Sequence, residues 1–335
     1  MINIKSIAIK NKNKKQLFNS QLLLVFIIIL ICIIATVVNK KFLSLNNIIN
    51  IFQQIAVLGI VSSGVGMLLV AGEIDISVGN QVSLLGVILA MVIQKVLGLP
   101  DGKNIIPGLA PFAIPLAVII TILSGAFLGF LNGIFVIKTK APSFIITLGF
   151  SLVYSGIALL LTNGASYMLF GHFETLGRGK LFNFIPISIF FFLLAIITAF
   201  IILKYTKYGR FLYAVGGNRE AAYVSGIKTQ KIILIAYVIV GILSSIAALI
   251  LISRVGSALA NTGDSYSLDA LAAVIVGGIA LSGGRGNAIS IFLGVILIGL
   301  INNSLIIMNV NPFARGLVIG LVMIIAVTSN YLSNK

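Results

Sequence analysis

From residue 21 onward the chain alternates long apolar runs with short polar, glycine- or proline-bearing punctuation. Ten runs stand out: 21–38, 51–71, 76–97, 111–137, 143–161, 184–203, 231–253, 269–282, 287–308 and 314–332. About 20 apolar residues cross roughly 30 Å of hydrocarbon. A backbone in lipid must satisfy its own hydrogen bonds, so each run is predicted as a helix. The predicted fold is all-α, a polytopic membrane protein of about ten transmembrane helices, with a range of eight to ten. The run 269–282 is the weakest, being short and carrying Gly277 and Gly278, and it reads as a candidate re-entrant or broken helix. The run 111–137 is overlong, which implies tilt or an interruption near Ser124-Gly125.

Composition sharpens this picture. Of the 335 residues 59% are hydrophobic and only 9% charged, and the mean hydropathy is +1.17. Soluble domains carry about 25% charged residues, so soluble enzymes, nucleic-acid binders and disordered chains are excluded. The formal charge is +16. In a soluble protein that would suggest nucleic acid; in a membrane protein it reflects the Lys and Arg that collect in cytoplasmic loops. Residues 1–20 hold five lysines and no acid. The run 21–38 resembles a signal peptide, yet Asn39-Lys40-Lys41 follows without a small-x-small cleavage site, so it reads as a retained first helix. The domain organisation is thus a basic cytoplasmic tail, 1–20, and a single transmembrane domain, 21–332, holding a cytoplasmic loop, 204–230. This topology puts fifteen of the 23 basic residues inside. Residues 204–231 alone carry six basic residues against one acid, Glu220.

Catalytic chemistry finds little material. Cys32 is the single cysteine and His172 the single histidine, so neither a disulfide nor a His/Cys metal site can form within the chain. No G-x-x-x-x-G-K-[ST] phosphate loop is present. No catalytic residue, metal or cofactor is expected, and any ATP hydrolysis belongs to another chain.

Three segments carry more information. In Lys204–Gly226, Gly216-Gly217 breaks the preceding structure, Asn218 is a good N-cap, Glu220 suits a first turn and Gly226 suits a C′ position. A helix of about two turns is predicted over 219–225, too short to persist alone in water. Two readings fit it: a docking helix offering Arg219, Glu220 and Tyr223 to a partner's groove, or an amphipathic connector on the membrane surface. Gly72–Gly79 places Glu73 and Asp75 between apolar runs. Carboxylates at membrane depth tend to face cavities, although Asp75 or Ser77 also suits the cap of the next helix. In Gly263–Gly286, Asp269 sits at a predicted helix start on the outer side. Gly283–Gly286 lacks the lysine and Ser/Thr of a phosphate cradle and reads as an inter-helix turn. Gly72–Gly79 also lies over Gly277–Gly284, each reaching an asparagine (Asn80, Asn287) before an apolar helix. Duplicated halves, common in transporters, and chance both account for that.

Taken in order, these segments resemble the integral-membrane permease subunit of ribose-type sugar ABC importers. Gly72–Gly79 is similar to that family's G-G-I-D-L-S-V-G. Thr206–Ile227, with Gly209 and Arg210, is similar to T-x-x-G-R-x-x-Y-A-x-G-G-N-x-x-A-A-x-x-S-G-I, and Tyr266–Gly286 to the Y-x-L-D-A segment ending in S-G-G-x-G. Asn47–Gln54, Leu131-Asn132-Gly133, Thr162-Asn163-Gly164 and Leu300–Asn303 also fit. Glu73, where a Gly is usual, and Ser267, where a Glu is usual, depart from the pattern and bear on the substrate rather than the fold. The resemblance implies a bacterial inner-membrane permease with a cytoplasmic N-terminus, paired as a homodimer around a pore in lipid. Its partners would be a separate ABC ATPase and an extracytoplasmic sugar-binding protein, with no nucleic acid. It favours a coupling helix around Glu220, Ala221, Ala222 and Gly226, flanked by Gly216, Gly217, Asn218, Arg219 and Tyr223. Expected pathway residues are Asp75, Ser77, Asn80, Gln81, Asn132 and Asp269, with Phe130 as an apolar constriction. The alternatives are a permease for nucleosides, branched-chain amino acids or sugar-derived signals, an ion-coupled secondary transporter using Asp75 or Asp269, and a non-transport membrane enzyme or scaffold.

Overall fold

The computed structural model describes residues 4–99, 108–182, 185–311 and, further on, 314, 316–321, 324 and 328, with side chains from residue 21. About half of the expected run 314–332 therefore lies outside the described residues, and so do the side chains of the basic tail.

The described chain is helical almost throughout. Its helices are α1 (Ile4–Val38), α2 (Leu45–Val70), α3 (Val78–Leu97), α4 (Ala113–Thr139), α5 (Ser143–Thr162), the short α6 (Thr175–Arg178), α7 (Ile187–Tyr205), α8 (Lys207–Gly217), α9 (Arg219–Val224), α10 (Thr229–Val255), α11 (Tyr266–Val276) and α12 (Ala288–Ile307). Among the described residues eight helices are long and apolar enough to cross a membrane, the low end of the expected range. The run 269–282 is not one of them. It holds the 11-residue α11 and then a turn, as a broken helix would. No interruption occurs near Ser124-Gly125, because α4 runs unbroken from 113 to 139.

Packing explains why those α4 glycines are there. Gly125, Gly129 and Gly133 repeat every fourth residue, and a Cβ at any of them would strike α10 at Tyr237, Gly241, Ser245 or Leu234. Lipid supplies no hydrophobic drive between helices, so close backbone approach is what holds such a pair together. At the centre, α2 is buried over most of its length and packs against α7, α10, α11 and α12. The more exposed α1 leans on α12.

Two stretches, 71–77 and 256–265, are not helical spans, and they bring the starts of α3 and α11 together. Ser267 accepts the Gly79 N–H at 2.8 Å and donates its hydroxyl to the Ile76 carbonyl at 2.6 Å. At one end of the bundle lie α8, α9 and the start of α12: Tyr213 donates to the Gly286 carbonyl at 2.8 Å. The apolar part of α1 begins at the same end, since the Gln21 amide donates to Asn287 and Ser290 at 3.2 Å. At the opposite end, β1 (Tyr167–Met168) pairs antiparallel with β4 (Ser257–Ala258), and β2 (Lys180–Leu181) with β3 (Ile185–Pro186).

Candidate functional site

The predicted short helix forms, as α9 over Arg219–Val224. Asn218 is its N-cap, its side chain accepting the Ala221 N–H at 2.9 Å. At the other end Gly226 has a φ of +83°. Its N–H bonds the Tyr223 carbonyl while the Ile227 N–H bonds that of Ala222, a Schellman ending. One expectation is corrected. Gly216-Gly217 does not break the preceding structure, because α8 runs through both glycines and the chain turns at Asn218. The Gly209 N–H bonds the Thr206 cap, and the glycine itself packs on the end of α7. Ala222 is buried; Arg210, Glu220, Ala221, Tyr223 and Val224 are exposed.

Gly216 and Gly217 instead allow a three-way backbone junction. A Cβ on Gly216 would collide with the end of α2 at Val70, and one on Gly284 would come within 2.8 Å of the Gly217 Cα. Gly283, in the turn between α11 and α12, is equally close to Gly72. The Gly284 N–H donates to the Val70 carbonyl at 2.8 Å. The end of α8 is thus seated directly on the ends of α2 and of the α11–α12 turn, with no side chain between them.

Charge makes a second tie. The Arg219 guanidinium meets Glu73 Oε1 at 2.9 Å, with Glu73 buried and Arg219 half exposed. Burial pushes the Glu73 carboxyl above its ordinary pKa, opposed by the Ser143 hydroxyl and by Arg219. Glu73, one of the two residues that depart from the pattern the sequence resembles, is therefore the one that connects α9 to segment 71–77.

Segment 71–77 is non-helical backbone inside a helical bundle, so its polar groups need partners from elsewhere. The Ser143 hydroxyl accepts the Ile74 N–H at 3.0 Å and Thr147 accepts the Ile76 N–H at 3.2 Å. Deeper in, Asp75 Oδ1 accepts the Ser77 N–H at 2.8 Å and the Ser77 hydroxyl at 2.6 Å. Asn132 donates to Asp75 Oδ2 at 3.2 Å and to Ser77 Oγ at 2.7 Å, Gln81 donates to Ser77 Oγ at 2.9 Å, and Tyr154 donates to Asn132 Oδ1 at 2.6 Å. The predicted residues Asp75, Ser77, Gln81 and Asn132 do come together, as a buried knot whose members bond one another. Asp75 takes the capping role: its carboxylate holds the turn into α3, whereas Ser77 makes no side-chain cap bond.

The remaining predicted residues lie elsewhere. Asn80 is half-buried and donates to Ser151 of α5 at 2.7 Å. Phe130 is 40% exposed on another face of α4, apart from the knot. Asp269 is buried in the first turn of α11. Sequence reasoning passed over Ser143, Thr147, Ser151 and Tyr154, which recur at three- or four-residue intervals along one face of α5. That spacing of polar groups in an apolar helix is the signal that could have found them.

A family profile described as the permease component of a branched-chain amino acid transport system matches residues 47–327. The chain belongs to this permease family. Among curated relatives, the ribose import permease protein RbsC of Bacillus subtilis is 38% identical over 301 residues, covering 89% of this chain and 88% of the relative. RbsC of Haemophilus influenzae is 35% identical, covering 92% of each chain. The galactose/methyl galactoside import permease protein MglC of Escherichia coli is 33% identical, covering 90% of this chain and 91% of its own. No solved structure matches. Family membership makes the chain a transport component rather than an enzyme, within a multi-pass membrane protein.

Proposed function

We propose that this chain is the permease subunit of a binding-protein-dependent ABC importer that carries a monosaccharide, a ribose-like pentose or a hexose, into the cytoplasm. Two copies form the pore, a separate ATPase subunit docks on α9 from the cytoplasmic side, and an extracytoplasmic sugar-binding protein delivers the solute. The N-terminus is cytoplasmic. The observation that carries this reading is α9 itself. It is capped at both ends, yet Tyr223 is 70% and Val224 80% exposed, and its Arg219 is paired with a buried carboxylate in segment 71–77. A helix of that length has no stability of its own to justify its caps; a partner surface supplies one. The relatives' names support a sugar as the solute.

On this reading ATP binding closes the paired ATPase domains and carries α9 with them. The glycine junction and the Glu73–Arg219 pair pass that displacement to segment 71–77 and the α11–α12 turn. The helices that begin beside Asp75 and Asp269 then reorient, and access alternates between the two sides of the membrane.

The test is the double substitution Glu220→Lys with Gly226→Val. Repulsion by a reversed charge and a side chain forced into positive φ should abolish sugar uptake and ATPase stimulation while membrane insertion persists. Unchanged uptake would remove the docking role. The family description favours a second reading, a branched-chain amino acid as solute. Ligand-induced thermal shifts of the partner binding protein against sugars, nucleosides and amino acids decide between them.

A further inference from the structure

Three aspartates flank the two helix breaks, and they are not equivalent. Asp75 and Asp269 are buried, and Asp75 has both carboxylate oxygens bonded within the knot. Asp264 is exposed. Its Oδ1 accepts the Ser83 hydroxyl of α3 at 3.3 Å, and Ser83 in turn accepts the Gly263 N–H at 2.8 Å, which fixes the loop in place. Asn261 and Ser265 beside it are exposed as well.

The depth of Asp264 follows from the helices it touches. Ser83 precedes the end of α3 at Leu97 by fourteen residues, roughly 21 Å of helix. From Tyr266, α11 runs eleven residues, roughly 16 Å, toward the end that bears α8 and α9. Asp264 thus sits near the middle of a bundle whose longest uninterrupted spans, α4 and α10, measure about 40 Å. An ionised carboxylate exposed to hydrocarbon at that depth is costly, and such groups face water-filled cavities or a polar partner. Among the described residues Ser83 is its side-chain hydrogen-bond partner, and no cation pairs with it.

We propose that Asp264 marks the wall of the solute passage, where it accepts hydrogen bonds from the hydroxyl groups of a passing polyol, assisted by Asn261 and Ser265. This rests on the transport reading above and adds to it the face of the subunit along which the solute moves. Two carboxylate oxygens match adjacent hydroxyls of an aldopentose or aldohexose. A single such contact is weak enough for the solute to leave again.

Accessibility tests the wall. Because Cys32 is the single cysteine, Asp264→Cys in a Cys32→Ser background carries one thiol. In membranes holding the full importer, a charged methanethiosulfonate reagent should modify that thiol, and D-ribose with the binding protein should slow the modification several-fold. Leu160→Cys on the exposed face of α5 should stay unmodified. Absence of modification would overturn the proposal. Recognition is tested by Asp264→Asn, which keeps shape and fold. The KM for the imported sugar should rise about tenfold. A lower subunit yield with unchanged KM would mean a merely structural role and would overturn it. If the unsubstituted importer carries no sugar at all, the transport reading fails on that result, and the polyol part of this proposal fails with it. Thiol modification still decides whether residue 264 faces water.

Discussion

At Glu73 and Ser267 single residues join distant segments. Glu73 is a buried acid whose raised pKa comes first from desolvation, with the Ser143 hydroxyl and Arg219 pulling it back. The sign of the pH effect follows. Protonation becomes easier than for an exposed glutamate, so the bridge to Arg219 opens at milder acidity than a surface ion pair would. The folded-state pKa lies above the unfolded one, so the carboxyl itself opposes folding as pH rises through its folded value; acid releases that opposition while breaking the tie to α9. Acidification should therefore lower the solute moved per ATP in the native protein, and Glu73→Gln should show the lowered ratio already at neutral pH with no further acid response. A ratio unchanged in Glu73→Gln would mean that the pair does not transmit. Arg219→Ala leaves the buried carboxylate unpaired and should cost about 1–3 kcal/mol, reduced from a fully buried pair because Arg219 is half exposed. Ser267→Ala strands the Gly79 N–H and the Ile76 carbonyl together and should cost about 1–3 kcal/mol, read as a lower unfolding temperature in detergent. In sequence both residues appeared as departures from a pattern that bore on substrate, and Glu73 also as a carboxylate between apolar runs. Their contacts across the fold make them ties between backbone segments.

Between elements, the closest contacts are backbone to backbone. The ends of α2 and α8 and the α11–α12 turn meet through Gly72, Gly216, Gly217, Gly283 and Gly284, and α4 meets α10 through Gly125, Gly129 and Gly133. The two sets differ in what a side chain would do. Gly129→Leu should wedge α4 from α10 and cost about 3 kcal/mol, visible as loss of folded protein from the membrane. Gly216→Ala should leave the spans intact, because it disturbs only the seat of α8, and should show itself in reduced ATPase stimulation. Equal loss of folded protein from both variants would contradict that division. The helices themselves were legible, down to the N-cap at Asn218 and the left-handed Gly226, since capping is written within four or five residues. Gly216-Gly217 misled because glycine in sequence signals a break. Here it marks close approach to another backbone, which cannot be read from neighbours in the chain.

At the scale of the whole molecule the ends of the bundle are unequal. Lys138, Lys140, Lys204, Lys207, Arg210, Arg219, Lys228 and Lys231 gather at the end where α1 begins its apolar stretch and where α8 and α9 lie. On the proposed orientation that end is cytoplasmic, as the positive-inside rule expects. Reporter fusions before residue 4 and after residue 228 should therefore both report the cytoplasmic compartment, and a fusion after residue 171 the opposite one; fusions at 4 and 228 on different sides would refute the topology. What the sequence determined by itself is the all-helical membrane architecture, the weak eleventh helix and the form of α9, because hydropathy, helix propensity and capping act between near neighbours. Only the tertiary structure decided which polar groups are occupied and which are open. Asp75 is bonded by Asn132, 57 residues away, Glu73 by Arg219 at 146, and Ile76 by Ser267 at 191. A buried polar group must take its partner from whichever segment the packing brings near, so Asp264, the exposed aspartate among those described, became visible only once the helices were assembled.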